Sequence, residues 1–215
     1  MPSAMTFTSL QQDLRGYLER GEVSDTIVYN QLPSLINLAE RAIVTELKLL
    51  GLLNVVTTDL VAGTSVYQKP DRWRVTVSMN FGTGTDSNAR VALFPRNYEY
   101  CRMYWPNSNE RGIPEFYADY GYSHWLVVPT PIAVYPLEVN YYEQPALLDE
   151  TNETNWLTDY QPNLLLYRAL LEATPFLKDD KRISTWEGMY TTIKDAVNVQ
   201  DLQKIIDRTT TRQAA

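Results

Sequence analysis

Apolar residues recur at three- and four-residue steps through Val28, Leu32, Leu35, Ile36, Ala39, Ile43, Leu47 and Leu50, while Asn37, Glu40, Arg41 and Lys48 mostly fall elsewhere. The spacing predicts a helix over 28–50, roughly 35 Å long at 1.5 Å per residue, stopped by Gly51. Pro33 fits its first turn or a mild kink. Ahead of it, Phe7, Leu10, Leu14, Tyr17 and Leu18 make a shorter stripe. Thr8 or Ser9 caps that helix and Gly21 closes it after Arg20.

From about Val55 to Tyr142 the texture changes to alternation broken by turn residues, the pattern of antiparallel strands. Candidate strands are 55–61, 65–68, 72–79, 88–93, 115–120, 125–128 and 132–142. Gly82, Gly84, Asp86 and Asn88 mark a hairpin loop, and a short helix is expected over 96–104 between Pro95 and Pro106. After an acidic loop from Asp149 to Asp159, Leu164, Leu165, Tyr167, Ala169, Leu170 and Leu171 predict a helix apolar nearly all round and therefore buried. Pro175 kinks or ends it. A last helix begins near Lys181, carries Ile183, Trp186, Met189, Tyr190, Ile193 and Val197, and can continue through Leu202, Ile205 and Ile206.

The predicted fold class is α+β: an antiparallel helical bundle core with a large antiparallel β insertion between the second helix and the carboxy-terminal helices. Residues 1–52 and 146–200 form the helical core, 53–145 the β-rich module, and 201–215 a carboxy-terminal extension. Helices 28–50 and 164–171 are expected to touch across the insertion.

Composition narrows the function. The net charge is −7 over 215 residues, and no segment is basic, so no surface reads as a clamp for nucleic acid. One cysteine, Cys101, excludes an internal disulfide and a multi-cysteine zinc site; a small buried hydrophobe in a short helix is the expected role. The amino terminus lacks the pattern of a signal peptide, and no apolar run approaches the roughly 20 residues that cross a bilayer. Synthesis in a cytoplasm is the expectation, with no membrane partner.

No chemistry stands out. His124 is the one histidine; it has no second imidazole for a metal and no Gly-x-Ser-x-Gly elbow for a hydrolase triad. Gly82-Thr83-Gly84-Thr85 lacks the Gly-Lys-Ser/Thr ending of a phosphate loop. Glu115 and Asp119 share a strand face and leave a glycosidase-like acid pair open. Asp149, Glu150, Glu153 and Asp159 do not have EF-hand spacing, so solvent-facing charge is the default. No catalytic residue, metal or cofactor is assigned. Ten of the fifteen tyrosines lie between Tyr67 and Tyr142, with Trp73, Trp105 and Trp125. Half-buried strand aromatics explain them, as does an aromatic protein interface.

Several stretches fall in an order that resembles a known family. From Arg111 to Asp180 the chain runs Gly112-Ile113-Pro114, an aromatic strand, Pro129-Thr130-Pro131, a strand ending Tyr141-Tyr142, an acidic loop with Asn155-Trp156-Leu157, and an apolar helix. Upstream lie Ile36-Asn37-Leu38-Ala39-Glu40-Arg41 in the long helix and Leu93-Phe94-Pro95 before a tyrosine-rich short helix. Trp186 and Tyr190 sit in a closing helix. This order resembles the head-to-tail adaptor (connector) proteins of tailed bacteriophages.

The resemblance implies a non-enzymatic virion protein of the neck. It implies a homo-oligomeric ring, expected to be dodecameric, that joins the portal protein to tail or nozzle proteins. DNA passes through the channel without specific binding. On this reading Leu202, Ile205, Ile206, Arg208 and Arg212 engage the portal, while Tyr117, Tyr120, Tyr122 and Trp125 face the tail or a neighbouring subunit. The alternative is a carbohydrate- or receptor-binding module of a phage tail, its tyrosine- and tryptophan-rich sheet being the recognising surface. A cell-wall hydrolase is a third option, requiring two acids in a cleft.

Overall fold

A computed structural model describes residues 5–83, 86–176 and 181–206, without the side chains of 83, 86–88 and 201–206. The chain divides into two compact units, 1–52 with 144–215, and 53–143.

In the first unit, helix α1 (Phe7–Leu18) buries Phe7, Leu10, Leu14 and Leu18 of the stripe expected from spacing, but leaves Tyr17 exposed. Its cap is Thr6, not Thr8 or Ser9. Thr6 Oγ1 accepts the Ser9 N–H and Ser9 Oγ accepts the Thr6 N–H, a reciprocal capping box. Thr8 is used otherwise: its N–H and hydroxyl donate to the Glu153 carboxylate at 3.0 and 2.7 Å. That carboxylate lies at the positive end of α1.

Helix α2 (Thr26–Glu46) is shifted from the expected 28–50, so Pro33 lies inside it and not in its first turn. Leu47 is extended, and a 3₁₀ turn occupies Leu50–Leu52. Gly51 is required by a close approach: a Cβ there would sit 1.9 Å from the Trp156 indole. Beyond the acidic loop come α4 (Trp156–Tyr160), α5 (Pro162–Glu172) and α6 (Arg182–Ile206), numbered to leave α3 for the second unit. Asn155 caps α4 through the Leu157 and Thr158 N–H groups. Helix α5 is buried through Leu164, Leu165, Leu166, Ala169 and Leu170. It packs against α1, α2, α4 and α6.

The second unit carries β1 (Leu53–Leu60), β2 (Val66–Gln68), β3 (Trp73–Thr83), β4 (Asp86–Pro95), α3 (Tyr98–Tyr104), β5 (Arg111–Gly112), β6 (Phe116–Tyr120), β7 (His124–Val128), β8 (Thr130–Pro131) and β9 (Tyr135–Glu143). Seven strands form one curled sheet in the order β1-β9-β3-β4-β6-β7-β2; β5 and β8 pair separately. The chain enters on β1 and leaves on β9, which pair antiparallel from Leu53↔Tyr142 to Leu60↔Tyr135. Inside the curl, Leu60, Trp73, Met79, Phe81, Leu93, Tyr117, Trp125, Val127, Tyr135, Leu137, Val139 and Tyr141 form one core. Behind β6 and β7, Cys101, Ala118, Leu126 and Val128 form another. The run Trp125–Val128 is buried throughout because it has a core on each face.

The expected antiparallel helical bundle core is overturned. The structure is α+β, but the seven-stranded sheet dominates it, and half of the helices follow that sheet near the carboxy terminus. Although α2 and α5 do pack together, the seven-stranded sheet carries its own apolar cores and does not grow out of a helical bundle. The sheet is also mixed rather than antiparallel. β4 and β6 pair parallel at Phe94↔Phe116 and Pro95↔Tyr117, because the connection through α3 is a crossover and not a hairpin.

One buried carboxyl ties the first unit together. Glu40, on α2, is 0% exposed. It accepts hydrogen bonds from the Leu148 N–H at 3.1 Å and from Asn155 Nδ2. With its amide turned to donate, Asn37 lies 3.1 Å from Glu40 Oε2 and 3.2 Å from the Leu148 carbonyl. Burial outweighs these bonds and pushes the Glu40 carboxyl up to about 7 from 4.5. The folded state therefore holds a proton that the unfolded chain releases, so Glu40 loses stabilising effect as pH rises from about 4.5 to about 7. In thermal or urea unfolding at a series of pH values, the stability of the wild type relative to Glu40→Gln should fall by up to about 3 kcal/mol across that window and then level. A pH-independent difference would show that the carboxyl titrates normally.

Candidate interaction surfaces

The aromatic residues of the sheet divide into a locked interior and an exposed exterior. Trp73 Nε1 and Trp125 Nε1 both donate to Thr76 Oγ1, at 3.1 and 2.9 Å, and the rings meet edge to face at 6.5 Å. Lys69 closes this group. Its buried Nζ lies 3.5 Å from the Trp73 ring centroid and 2.7 Å from Asp119 Oδ1, with the Gly121 carbonyl at 3.4 Å. A buried ammonium needs such pairing, and the cluster fastens the end of β2 to the β6–β7 hairpin.

This arrangement sorts the four sequence-predicted aromatics. Trp125 is 2% and Tyr117 6% exposed, and both belong to the core. Strand alternation sends Tyr117 inward with Trp125 and Val127. Tyr120 and Tyr122 are 41% and 79% exposed. Tyr122, in the β6–β7 turn, rests edge-on against Trp73, and Tyr120 pairs with Tyr98 of α3 at 5.7 Å.

Helix α3 extends the outer aromatic face in a way the spacing did not reveal. Tyr100 meets Tyr104 at 4.6 Å and Phe116 at 5.6 Å, while Trp105 packs on Phe116 at 5.8 Å. Arg96 lies 5.4 Å from the Tyr100 and Phe116 rings, and Arg102 lies 5.5 Å from Tyr98. Met103 and Tyr104 project into solvent. Alongside, a largely apolar groove of about 540 Å³ runs between β4 and the approach to β6, lined chiefly by Phe81, Val91, Phe94, Ile113, Pro114 and Phe116. Exposed rings beside guanidinium groups suit protein contact. The available signal was Leu93-Phe94-Pro95 leading into a tyrosine-rich helix.

The structure gives a place to each described residue weighed for catalysis. His124 Nδ1 shares a hydrogen bond with Ser123 Oγ at 2.9 Å. Asp119 is engaged by Lys69, and Glu115 precedes β6 at the groove. Gly82 and Thr83 end β3, and Gly84 and Thr85 lie outside the described residues. Cys101, on the buried face of α3, has its thiol pushed up by burial. Asp149 is not merely solvated: it accepts from the Thr151 hydroxyl and from the Thr151 and Asn152 N–H groups, which hold its carboxyl below the usual range. Among the described residues no group of three or more His, Cys, Asp or Glu could hold a metal ion. No described helix is long and apolar enough to cross a membrane.

Of the residues expected to meet the portal, Leu202, Ile205 and Ile206 lie on the last turns of α6, and Arg208 and Arg212 lie outside the described residues. Earlier on α6, Tyr190 donates to Glu46 Oε2 at 2.8 Å. Arg168 bridges Glu46 and Glu172 at 3.5 and 2.8 Å, and Lys194 lies 3.8 Å from Glu46. Burial, and then the Glu46 carboxylate, push the Tyr190 hydroxyl up. This charged cluster joins α6 to α2 and α5. Trp186 and Tyr190, which helped carry the resemblance, therefore serve packing.

Comparison with curated proteins gives no match. The model of the SU10 adaptor protein family matches residues 5–214. That span takes in Glu40 and its loop, the curled sheet and α6, so the chain belongs to the SU10 adaptor protein family, a family of phage head-to-tail adaptors.

Proposed function

We propose that this protein is a ring-forming neck component that joins the portal to the tail and lines the channel through which DNA passes. The observation that carries the reading is the family match over nearly the whole chain. A phage adaptor is a structural protein that works between head and tail components, and its place is the virion neck. The net charge of −7 suits a channel wall, since a basic lining would hold the duplex through counterion release. Dodecameric symmetry is part of the proposal, as the count expected to match a portal. Electron microscopy of the chain mixed with purified portal should show a ring seated on the portal; portals left bare at saturating protein would refute the proposal.

The distal part of α6 and the residues after it are the proposed portal arm, with Leu202, Ile205, Ile206, Arg208 and Arg212 as its contacts. Apolar Leu202, Ile205 and Ile206 followed by polar Thr209-Thr210-Thr211 suit a segment that completes itself on a partner. Truncation after Val199 should leave the circular dichroism and unfolding transition of the remaining fold intact and abolish co-sedimentation with portal. Undiminished co-sedimentation would remove the arm from the account.

The exposed aromatics of the sheet unit are the proposed tail-side contacts, now restricted to Tyr120 and Tyr122 together with the α3 face. The double substitution Tyr120→Ser and Tyr122→Ser should preserve portal attachment and lower tail joining at least tenfold in an in vitro head–tail complementation assay. Equal loss of both steps would mean that these rings serve the fold.

A further inference from the structure

The sheet ends in two edge strands, β1 and β2, and only β1 is long enough to template another strand. β2 has three residues, the shortness that blunts an edge, whereas β1 runs for eight. On one side β1 pairs with β9, and no described strand lies on the other. Parts of that outer side are already closed. Asn54 Oδ1 accepts the Val55 N–H at 2.8 Å, its amide being anchored on Glu143, and the Tyr67 hydroxyl accepts the Val61 N–H at 3.0 Å. Alternate residues of a strand direct their backbone groups to the same side, so those of Thr57 and Asp59 share this edge. The edge is therefore capped at both ends and open in the middle, where Thr57, Thr58 and Asp59 are exposed.

Antiparallel pairing with β1 of a second copy has one register that uses both open groups. With Thr58 opposite Thr58 on a two-fold axis, Thr57 of each copy faces Asp59 of the other, and each donates its N–H to the other's carbonyl. The capped Val55 and Val61 N–H groups then fall opposite one another and need no partner. The side chains agree. On the outer face the Thr57 hydroxyl meets the Asp59 carboxylate, and on the core face Val56 meets Leu60. Centring the pair on Thr57 would instead set Asp59 against the capped Val55. Centring it on Asp59 would set carboxylate against carboxylate.

We propose that two copies of this chain join through β1, the sheet of one continuing into the sheet of the other. A contact about a two-fold axis uses the same patch on both partners and stops at the dimer. It therefore goes beyond the ring reading and pairs copies outside a ring.

The residues on the axis form a non-hydrogen-bonded pair, with Cα atoms about 4.5 Å apart and within disulfide range. The full chain carrying Thr58→Cys should give a covalent dimer, and no larger ladder, in oxidised glutathione. The wild type, whose Cys101 is buried, should give none. In sedimentation velocity the wild type should dimerise as concentration rises. Thr58→Lys brings two ammonium groups together on the axis, and Thr57→Pro removes one bonding N–H per copy from an edge where proline is tolerated. Each should weaken the dimer at least about tenfold and leave the circular dichroism unchanged. If Thr57→Pro fails to fold, Thr58→Lys, at an exposed position, carries the comparison. A chain that is monomeric at every concentration overturns the contact, as do oligomers that form no Thr58→Cys cross-link or that survive Thr58→Lys. None of these results bears on the ring, which is tested on the portal.

Discussion

The architecture depends on the pairing of the first and last strands of the sheet unit. β1 and β9 run antiparallel along their whole length, so the chain enters at Leu53 beside the point where it leaves at Glu143. This closes the sheet unit on itself. It also lets residues 1–52 and 144–215, separated by ninety-odd positions, share one compact unit. β9 lies between β1 and β3 and supplies Tyr135, Leu137, Val139 and Tyr141 to the core. Losing the β1–β9 ladder would therefore leave β9, a strand that supplies the core, as the edge of the sheet.

The returning chain in the first unit is held by polar chemistry as well as apolar packing. Glu40 shares α2 with the buried Ile36, Ala39 and Ile43. Its carboxyl fixes Leu148 and Asn155, the residue that caps α4. The Asn37-Leu38-Ala39-Glu40 stretch, part of the resemblance to the adaptor family, thus has a physical role: it reads the loop that follows the sheet. Leaving a carboxyl without partners in such a place costs several kcal/mol, so both ends of the latch must be present together.

The sheet unit shows how aromatic content serves two ends. Trp73, Trp125 and Lys69 gather round Thr76 and Asp119 to lock one corner, while Tyr122, Tyr104 and Met103 are turned to solvent. Rigid support beneath an exposed ring comes from such a locked interior. Tyr122 against Trp73 is the clearest instance.

The sequence by itself determined the element types with long periodicity. The α2 stripe, the alternation across β9, the nearly all-apolar α5 and the buried Cys101 all follow from local spacing and residue chemistry. It also excluded a multi-cysteine metal site by composition. Only the tertiary structure decided that α3 is a crossover making β4 and β6 parallel, and that the sheet outweighs the short helices. Tertiary contacts likewise made Gly51 a seat for Trp156 and sent Tyr117 inward but Tyr122 outward. Periodicity reports which side of its own element a residue occupies. The direction of a connection, and what finally covers each side, depend on partners distant in sequence, and those the local pattern does not encode.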